Sequence, residues 1–454
     1  MKRQISAGNQ ITEGVIWKQL LFFFFPILLG IFFQQFYNTI DMVIVGRFVG
    51  KEALASVGGS AGQIANLVIG FFAGLSTGAG VVISQYYGAR DSRSLNDSLH
   101  TAYAFSIAGG ILFMIPGILC SPALLRRMNT SPELMASSEV YLRIYFAGIV
   151  FMFIYNIGSG ILRATGDSRR PLYYLIICCI LNIILDLVMV VVFHLGVAGA
   201  AIATVLAQAV SAVLVTAALM RSSDIYQLQL HKIRIHRRVL KSQLYLGLPG
   251  GFQSVMYSLS NIIIQAFINV FGTDTTAAWA AYGKLDAVFW MISSAFGMSI
   301  TTFVGQNYGA GRHDRIRKST RICLLMDLGT SIFVSAFLIL FRMPLFRIFT
   351  DDQNVIRTGA YMLKLITPTY AVFVFVEVLA GALRGISDVM IPTFLTLFGT
   401  CLLRIAWMFI AVPKNPCIEM IIIAYPITWT MTAILYIIYY QYKMKRFERK
   451  KREL

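Results

Sequence analysis

Apolar runs long enough to cross a bilayer, which takes ~20 residues, recur along almost the whole of this chain. That feature dictates a helical membrane protein, because in hydrocarbon each segment must satisfy its own backbone N–H and C=O groups. Composition agrees: 13% of the 454 residues are charged and 57% are hydrophobic, against roughly a quarter charged in soluble domains. Hydropathy and helix breakers mark twelve spans. The first six lie at about 16–45, 53–82, 98–122, 139–163, 172–195 and 197–220. The second six lie at about 243–271, 276–303, 318–342, 359–384, 392–413 and 418–442. The expected fold is all-α and polytopic, with 12 transmembrane helices in two six-helix lobes. The expected organisation is a lobe at 1–220, a polar linker at 221–241, a lobe at 242–442 and a basic tail at 443–454.

The formal charge of +18 would suggest nucleic acid in a soluble protein. Here the basic residues stand between spans and collect on one side. They are Lys2, Arg3, Arg90, Arg93, Arg163, Arg169, Arg170, Arg384, those from Arg312 to Arg321, those of the linker, and those of the tail from Lys443. Lys and Arg accumulate in cytoplasmic loops, which puts both termini in the cytoplasm of a multi-pass protein of the cell membrane. The surroundings are then a lipid bilayer, with no nucleic-acid partner. The first apolar run is too long for the h-region of a cleavable signal. The six cysteines make no CxxC pair and read as small buried hydrophobes. There is no GxxxxGK[ST], no strand-to-helix nucleophile elbow and no metal-spaced set of histidines. Neither ATP drive nor an enzyme is indicated, no cofactor is implied, and uphill work must draw on an ion gradient.

The halves repeat each other. Gln85-Tyr86-Tyr87-Gly88-Ala89-Arg90 answers Gln306-Asn307-Tyr308-Gly309-Ala310-Gly311-Arg312, and Gly160-Ile161-Leu162-Arg163 answers Gly381-Ala382-Leu383-Arg384, both at an offset of 221 residues. Pro26 answers Pro249 and Asn38 answers Asn261 at an offset of 223. An even number of spans per half makes the repeat parallel, related by a pseudo-two-fold along the membrane normal, as in transporters whose site lies between two halves.

An ionisable group at the bilayer centre costs at least ~2.5–3.5 kcal/mol, so each marks a functional hypothesis. Gln34, Asn38 and Asp41 share one face of span one at i, i+4 and i+7. Asn182 and Asp186 stand one turn apart in span five; Thr204 in span six and Asn156 in span four add polar groups. Asp41 and Asp186 both lie past the midpoints of spans running the same way, so the two carboxylates can share a solvated cleft in the first lobe and exchange a proton or cation. Pro26 removes a backbone hydrogen bond about four turns away from Asp41 and is the expected hinge. In the second half, Glu377 answers Asn156. It either pairs structurally with Arg404 or faces a cavity and meets cationic substrate. Asp286 cannot cleanly share a face with Lys284, and Asp327, six residues past Arg321, reads as interfacial. The Gly70-x3-Gly74-x3-Gly78 ridge invites a close helix neighbour. The 33 Phe, 21 Tyr and 19 Met could line a site for bulky cations or simply face lipid.

Asp41-Met42-Val43-Ile44-Val45-Gly46-Arg47 with Gly50 and Ala53-Leu54-Ala55 resembles the first-span signature of the multidrug and toxic compound extrusion (MATE) family. Val304-Gly305-Gln306-Asn307-Tyr308-Gly309-Ala310-Gly311 and Gly160-Ile161-Leu162-Arg163-Ala164-Thr165-Gly166-Asp167 resemble its later hallmarks, and the likeness runs through all twelve spans. The resemblance implies a V-shaped antiporter, expected as a monomer, that exports organic, often cationic compounds in exchange for H+ or Na+. It is similar to the prokaryotic branch of DNA-damage-inducible members. In that pattern Asp41 matches the first-span acid, Asn182 and Asp186 the fifth-span pair, and Thr204 the sixth-span hydroxyl; Na+ would sit at Asn182, Asp186 and Thr204. Other branches carry a Glu on span seven, where this chain has Gln253, Ser254, Tyr257 and Ser258. Glu377 is then the one candidate for a second-lobe ion site. The rival reading, a flippase of lipid-linked saccharides, would call for a strongly basic central cavity, yet the spans hold few cations beyond Lys284 and Arg404.

Overall fold

The computed structural model of the chain describes residues 11–453; Lys2, Arg3 and the end of the tail lie outside the described residues. Helices stand at all twelve expected positions: α1 (Ile16–Phe48), α2 (Lys51–Gly88), α3 (Ser92–Arg127), α4 (Pro132–Ala147 with Ile149–Ala164), α5 (Arg169–Val192) and α6 (Gly196–Met220). They continue with α7 (Arg237–Asn269), α8 (Thr273–Gly309), α9 (His313–Leu340), α10 (Gln353–Gly385), α11 (Met390–Ile410) and α12 (Ala424–Glu453). Ten positions hold helices long and apolar enough to cross a membrane, and α4 makes an eleventh across a 48° bend. The one left is α7, 33 residues long but diluted by Gln243, Gln253, Ser254, Ser258, Ser260 and Asn261. A helix of 33 residues, such as α1, runs about 50 Å, more than the ~30 Å hydrocarbon core. The expected boundaries are therefore short, because they stop where the apolar run stops and the helix does not.

The repeat is visible in local geometry. After α4, Gly166 N–H bonds Arg163 C=O at 2.9 Å and Asp167 N–H bonds Leu162 C=O at 2.9 Å; after α10, Ser387 bonds Arg384 at 2.9 Å and Asp388 bonds Leu383 at 3.0 Å. Both turns put their central residue at positive φ, Gly166 at 95° and Ser387 at 64°. This is a helix stop usually assigned to glycine, retained where the second half has serine. The fourth helix of each half also breaks at matching places, α4 at Gly148 and α10 in a tight turn at Thr367–Thr369. Pro368 explains the second break by lacking an N–H. At Gly148 a side chain would collide with Val205 of α6, 2.4 Å away.

The described chain divides into two units. The first holds Leu21–Gly251, residues 11–14 and Gly309–Gly311; the second holds Val15–Leu20, Phe252–Tyr308 and the chain from Arg312. The division falls inside α7, just past Pro249, rather than in the linker at 221–241, because the linker and the start of α7 pack on the first unit. The glycine ridge of α2 is what receives α7. A methyl on Gly74 would come 2.2 Å from the Gly251 nitrogen, and one on Gly78 would come 2.3 Å from the Gly247 nitrogen. The two backbones touch, so any side chain there must push the helices apart.

Overpacking of a tight core costs ~1–3 kcal/mol, and a rigid backbone neighbour puts this crossing at the upper end. Gly78→Leu is expected to lower the thermal midpoint of the detergent-purified protein by several degrees. Gly283→Ala, where a methyl meets nothing within 4 Å, is expected to leave it in place or raise it slightly.

Candidate functional site

In the first unit, the last α-helical turn of α5 brings Asn182 and Asp186 inward, and both are buried, at 1% and 0% exposure. Immediately after Asp186 the helix widens into a π turn, Leu187–Val192, a distortion often found at functional sites. Asn182 Nδ2 donates to Thr204 Oγ1 on α6, at 3.5 Å. From α1, Asp41 is 8% exposed, and its carboxyl group lies against that of Asp186. Neither carboxylate has a hydrogen to offer the other when both are ionised. Accordingly, both carboxylate oxygens of Asp186, Oδ1 of Asp41 and Oδ1 of Asn182 are buried without a hydrogen-bond donor. A group of acceptor oxygens lacking donors in a low-dielectric interior is strongly unfavourable. It is relieved by a proton or by a hard cation, which takes oxygen ligands.

The structure thus joins Asp41, Asn182, Asp186 and Thr204. It does not open them to a solvated cleft: the cluster is closed over. Tyr141 of α4 lies near both carboxyl groups and Tyr37 near Asp41, each largely buried at 7% and 8% exposure. Tyr37 sits one turn before Asp41 and could have been read from the same periodicity. Tyr141 is remote in sequence, and only the packing of α4 against its neighbours brings it here. Asn38 is exposed and Gln34 half-buried, so the polar face of α1 contributes only its aspartate. Asn156 is spent on its own helix, its Nδ2 donating to the Met152 carbonyl at 2.9 Å, while Ser76 Oγ donates to the Asn156 carbonyl at 2.8 Å. α1 runs unbroken through Pro26.

The second unit handles its acids differently. Glu377 pairs with Arg384 at 3.5 Å, not with Arg404, and Gly297 leaves the room its carboxyl fills, since a methyl there would lie 2.3 Å from Oε1. Arg404 stacks on the Tyr425 ring at 4.0 Å and donates to Thr428 Oγ1 at 3.1 Å. Asp286, several spans away along the chain, lies within reach of the Arg404 charge. Asp286 is held by Tyr282 at 3.2 Å, by Trp290 Nε1 at 2.7 Å and by the Tyr370 hydroxyl. Asp327 is not interfacial. It is 0% exposed in the middle of α9 and accepts from Ser293 at 3.3 Å and Ser331 at 3.4 Å. Asp327, not the half-buried Glu377, is therefore the most deeply set acid of this half, and the signal missed was the serine pair around it. Among the described residues no three His, Cys, Asp or Glu side chains gather as a metal site.

Paired six-helix sequence repeats with acids buried in their helices are the build of a membrane transporter. A family model described as MatE matches residues 26–188 and 249–410, and the chain belongs to that family of transporters. It is similar to the probable multidrug resistance protein YoeA of Bacillus subtilis, 26% identical over 445 residues, covering 96% of each chain. It is also similar to the probable multidrug resistance protein YpnP of the same organism, 28% identical over 397 residues, covering 87% of this chain and 88% of that one. The multidrug export protein MepA of Staphylococcus aureus is 22% identical over 358 residues, covering 78% of each. Among solved structures, an outward-facing multidrug resistance MATE transporter of the MOP superfamily matches with a TM-score of 0.91, at 22% identity over 98% of this chain and 100% of that chain. A MATE in the bent conformation matches at 0.92 and 22% identity, over 98% and 99%. These last two likenesses speak for the fold.

Removing one donor from a buried charged acceptor costs about 1–3 kcal/mol. Tyr370→Phe is expected to lower the thermal midpoint measurably, because Asp286 loses a donor. Thr204→Val is expected to destabilise the protein by less than about 1 kcal/mol, because the bond from Asn182 is long.

Proposed function

We propose that this protein is a secondary antiporter of the cell membrane that exports small organic compounds, cationic ones among them, in exchange for H+ or Na+. Asp41 and Asp186 are its ion site, with Asn182 and Thr204 as supporting oxygens. The observation that carries the reading is the donorless state of the Asp186 carboxylate beside Asp41. Two adjacent carboxylates in a low dielectric cannot both remain charged and bare. The site must hold a proton or a cation whenever it is closed, and must give it up when it opens to the other side. That is the thermodynamic requirement for coupling.

In the cycle, an ion taken up from outside neutralises the pair and removes the negative charge that holds a cationic substrate. The substrate leaves, and the emptied, ion-loaded state returns to the inner side, where the ion departs. Pro26, which leaves one backbone acceptor of α1 without a donor, is the place where that helix can bend as the pair changes charge. Gln34, Asn38 and Asn156 serve as polar neighbours of the substrate path rather than as ion ligands. Both termini lie in the cytoplasm, and the protein works as a monomer.

Dye efflux from reconstituted vesicles, with a pH gradient and a Na+ gradient imposed separately, identifies the coupling ion. Asp41→Asn and Asp186→Asn are each expected to reduce gradient-driven efflux by tenfold or more while leaving the protein folded. Full gradient-driven efflux in both variants would overturn the assignment.

A further inference from the structure

The segment between α6 and α7 has almost no regular structure beyond a single turn at Leu230–Lys232, yet it is fastened along the first turns of α3 like a strap. Asn96 grips it twice, Nδ2 donating to the Ile225 carbonyl at 3.1 Å and Oδ1 accepting the Gln227 N–H at 3.4 Å. Farther along, the Gln229 N–H donates to His100 Nε2 at 3.1 Å and the His236 N–H to Thr101 Oγ1 at 3.2 Å. Tyr226 and Leu228 are pegged beneath it at 5% and 1% exposure.

His100 is the fastening that protons can read. It is 4% exposed, and both ring nitrogens are committed. A backbone N–H can only donate, so Nε2 must be bare; the Asn96 carbonyl, 2.7 Å from Nδ1, can only accept, so Nδ1 must carry the hydrogen. One neutral tautomer satisfies both. The imidazolium would set two N–H groups against each other at Nε2.

We propose that this strap is a pH-released latch, held on α3 while His100 is neutral and let go when acidification protonates it. The other titratable and charged groups at the seam do not substitute for it. Facing it are Asp97 on α3, Tyr87 at the end of α2, and Asp224, Tyr226, Arg234 and His236 on the strap; His231 and Lys232 of the strap are exposed to solvent. Tyr87 donates to Asp224 at 2.9 Å. Burial holds the Tyr226 phenol above its ordinary range, so it stays neutral as the solution turns acid. His236 Nε2 accepts from Arg234 Nε at 2.8 Å and lies 3.3 Å from Asp97 Oδ1. Protonation there exchanges the Arg234 bond for a charged one to Asp97, so acid does not unfasten that end. The latch uses none of the ion-site residues, and its success or failure is independent of the exchange mechanism.

The test places a nitroxide at Leu230→Cys, an exposed position of the strap, in the full-length protein reconstituted into vesicles. Cys120 and Cys417, the cysteines not buried, are replaced by serine. Imidazole is the side chain that changes charge in the range crossed between about pH 8 and about pH 5.5. Over that range the label is expected to pass from an immobile to a mainly mobile spectrum along a one-proton curve. His100→Gln, which offers a donor and an acceptor but does not titrate, is expected to stay immobile throughout, and His231→Gln and His236→Gln to keep the transition. A spectrum independent of pH in the His100 protein would overturn the proposal, as would a transition that survives in His100→Gln.

Discussion

A carboxylate inside hydrocarbon has no water to bond, so it must find donors in the protein or surrender its charge. That constraint sorts the buried acids of this chain into two kinds. In the second unit Asp286 has three donors, Asp327 has two hydroxyls and Glu377 has a guanidinium. These are acids whose needs the protein meets by itself. In the first unit Asp186 has none, and a second carboxyl, that of Asp41, lies against it. The asymmetry between two units built on one repeat is the main physical ground for placing ion exchange in the first.

The scaffold that holds the pair is stiff because its helices meet at glycine. α2 receives α7 with backbone against backbone at Gly74 and Gly78, and α4 receives α6 at Gly148 and Gly158, where a methyl would fall 2.4 Å and 2.8 Å from valine side chains. Close packing of this kind leaves few ways for the surroundings to relax when a charge appears or disappears in their midst. In the proposed cycle, a change of charge at Asp41 and Asp186 would be taken up where the helices are weakest. Those are the π turn after Asp186 and the missing backbone bond at Pro26.

Much of this was legible in the chain. The offset of 221 residues anticipated matching helix stops, and the structure carries the correspondence into hydrogen bonds at Gly166 and Ser387. Asp41, Asn182, Asp186 and Thr204 could be named because polar residues at helical spacing in apolar runs have few innocent explanations. Other features depend on tertiary contact and leave no local trace. The aspartate within reach of the Arg404 charge is several spans away, and Tyr141 reaches the carboxyl pair from α4. The π turns after Asp186 and at Leu397–Leu402 occur in ordinary apolar sequence. Asp327 was misread because its distance from Arg321 was taken as depth, whereas helices longer than the membrane carry their charged ends well outside it.

The account turns on an ion occupying the Asp41–Asp186 pair that substrate and ion cannot both keep. The direct measurement is ion release on substrate binding by the purified protein in weakly buffered detergent, followed with a pH indicator and, in parallel, with radioactive sodium. Saturating dye is predicted to expel H+ or Na+ from the unmodified protein and neither ion from Asp186→Asn. Saturable dye binding that releases no ion, or equal release from the two proteins, would contradict it.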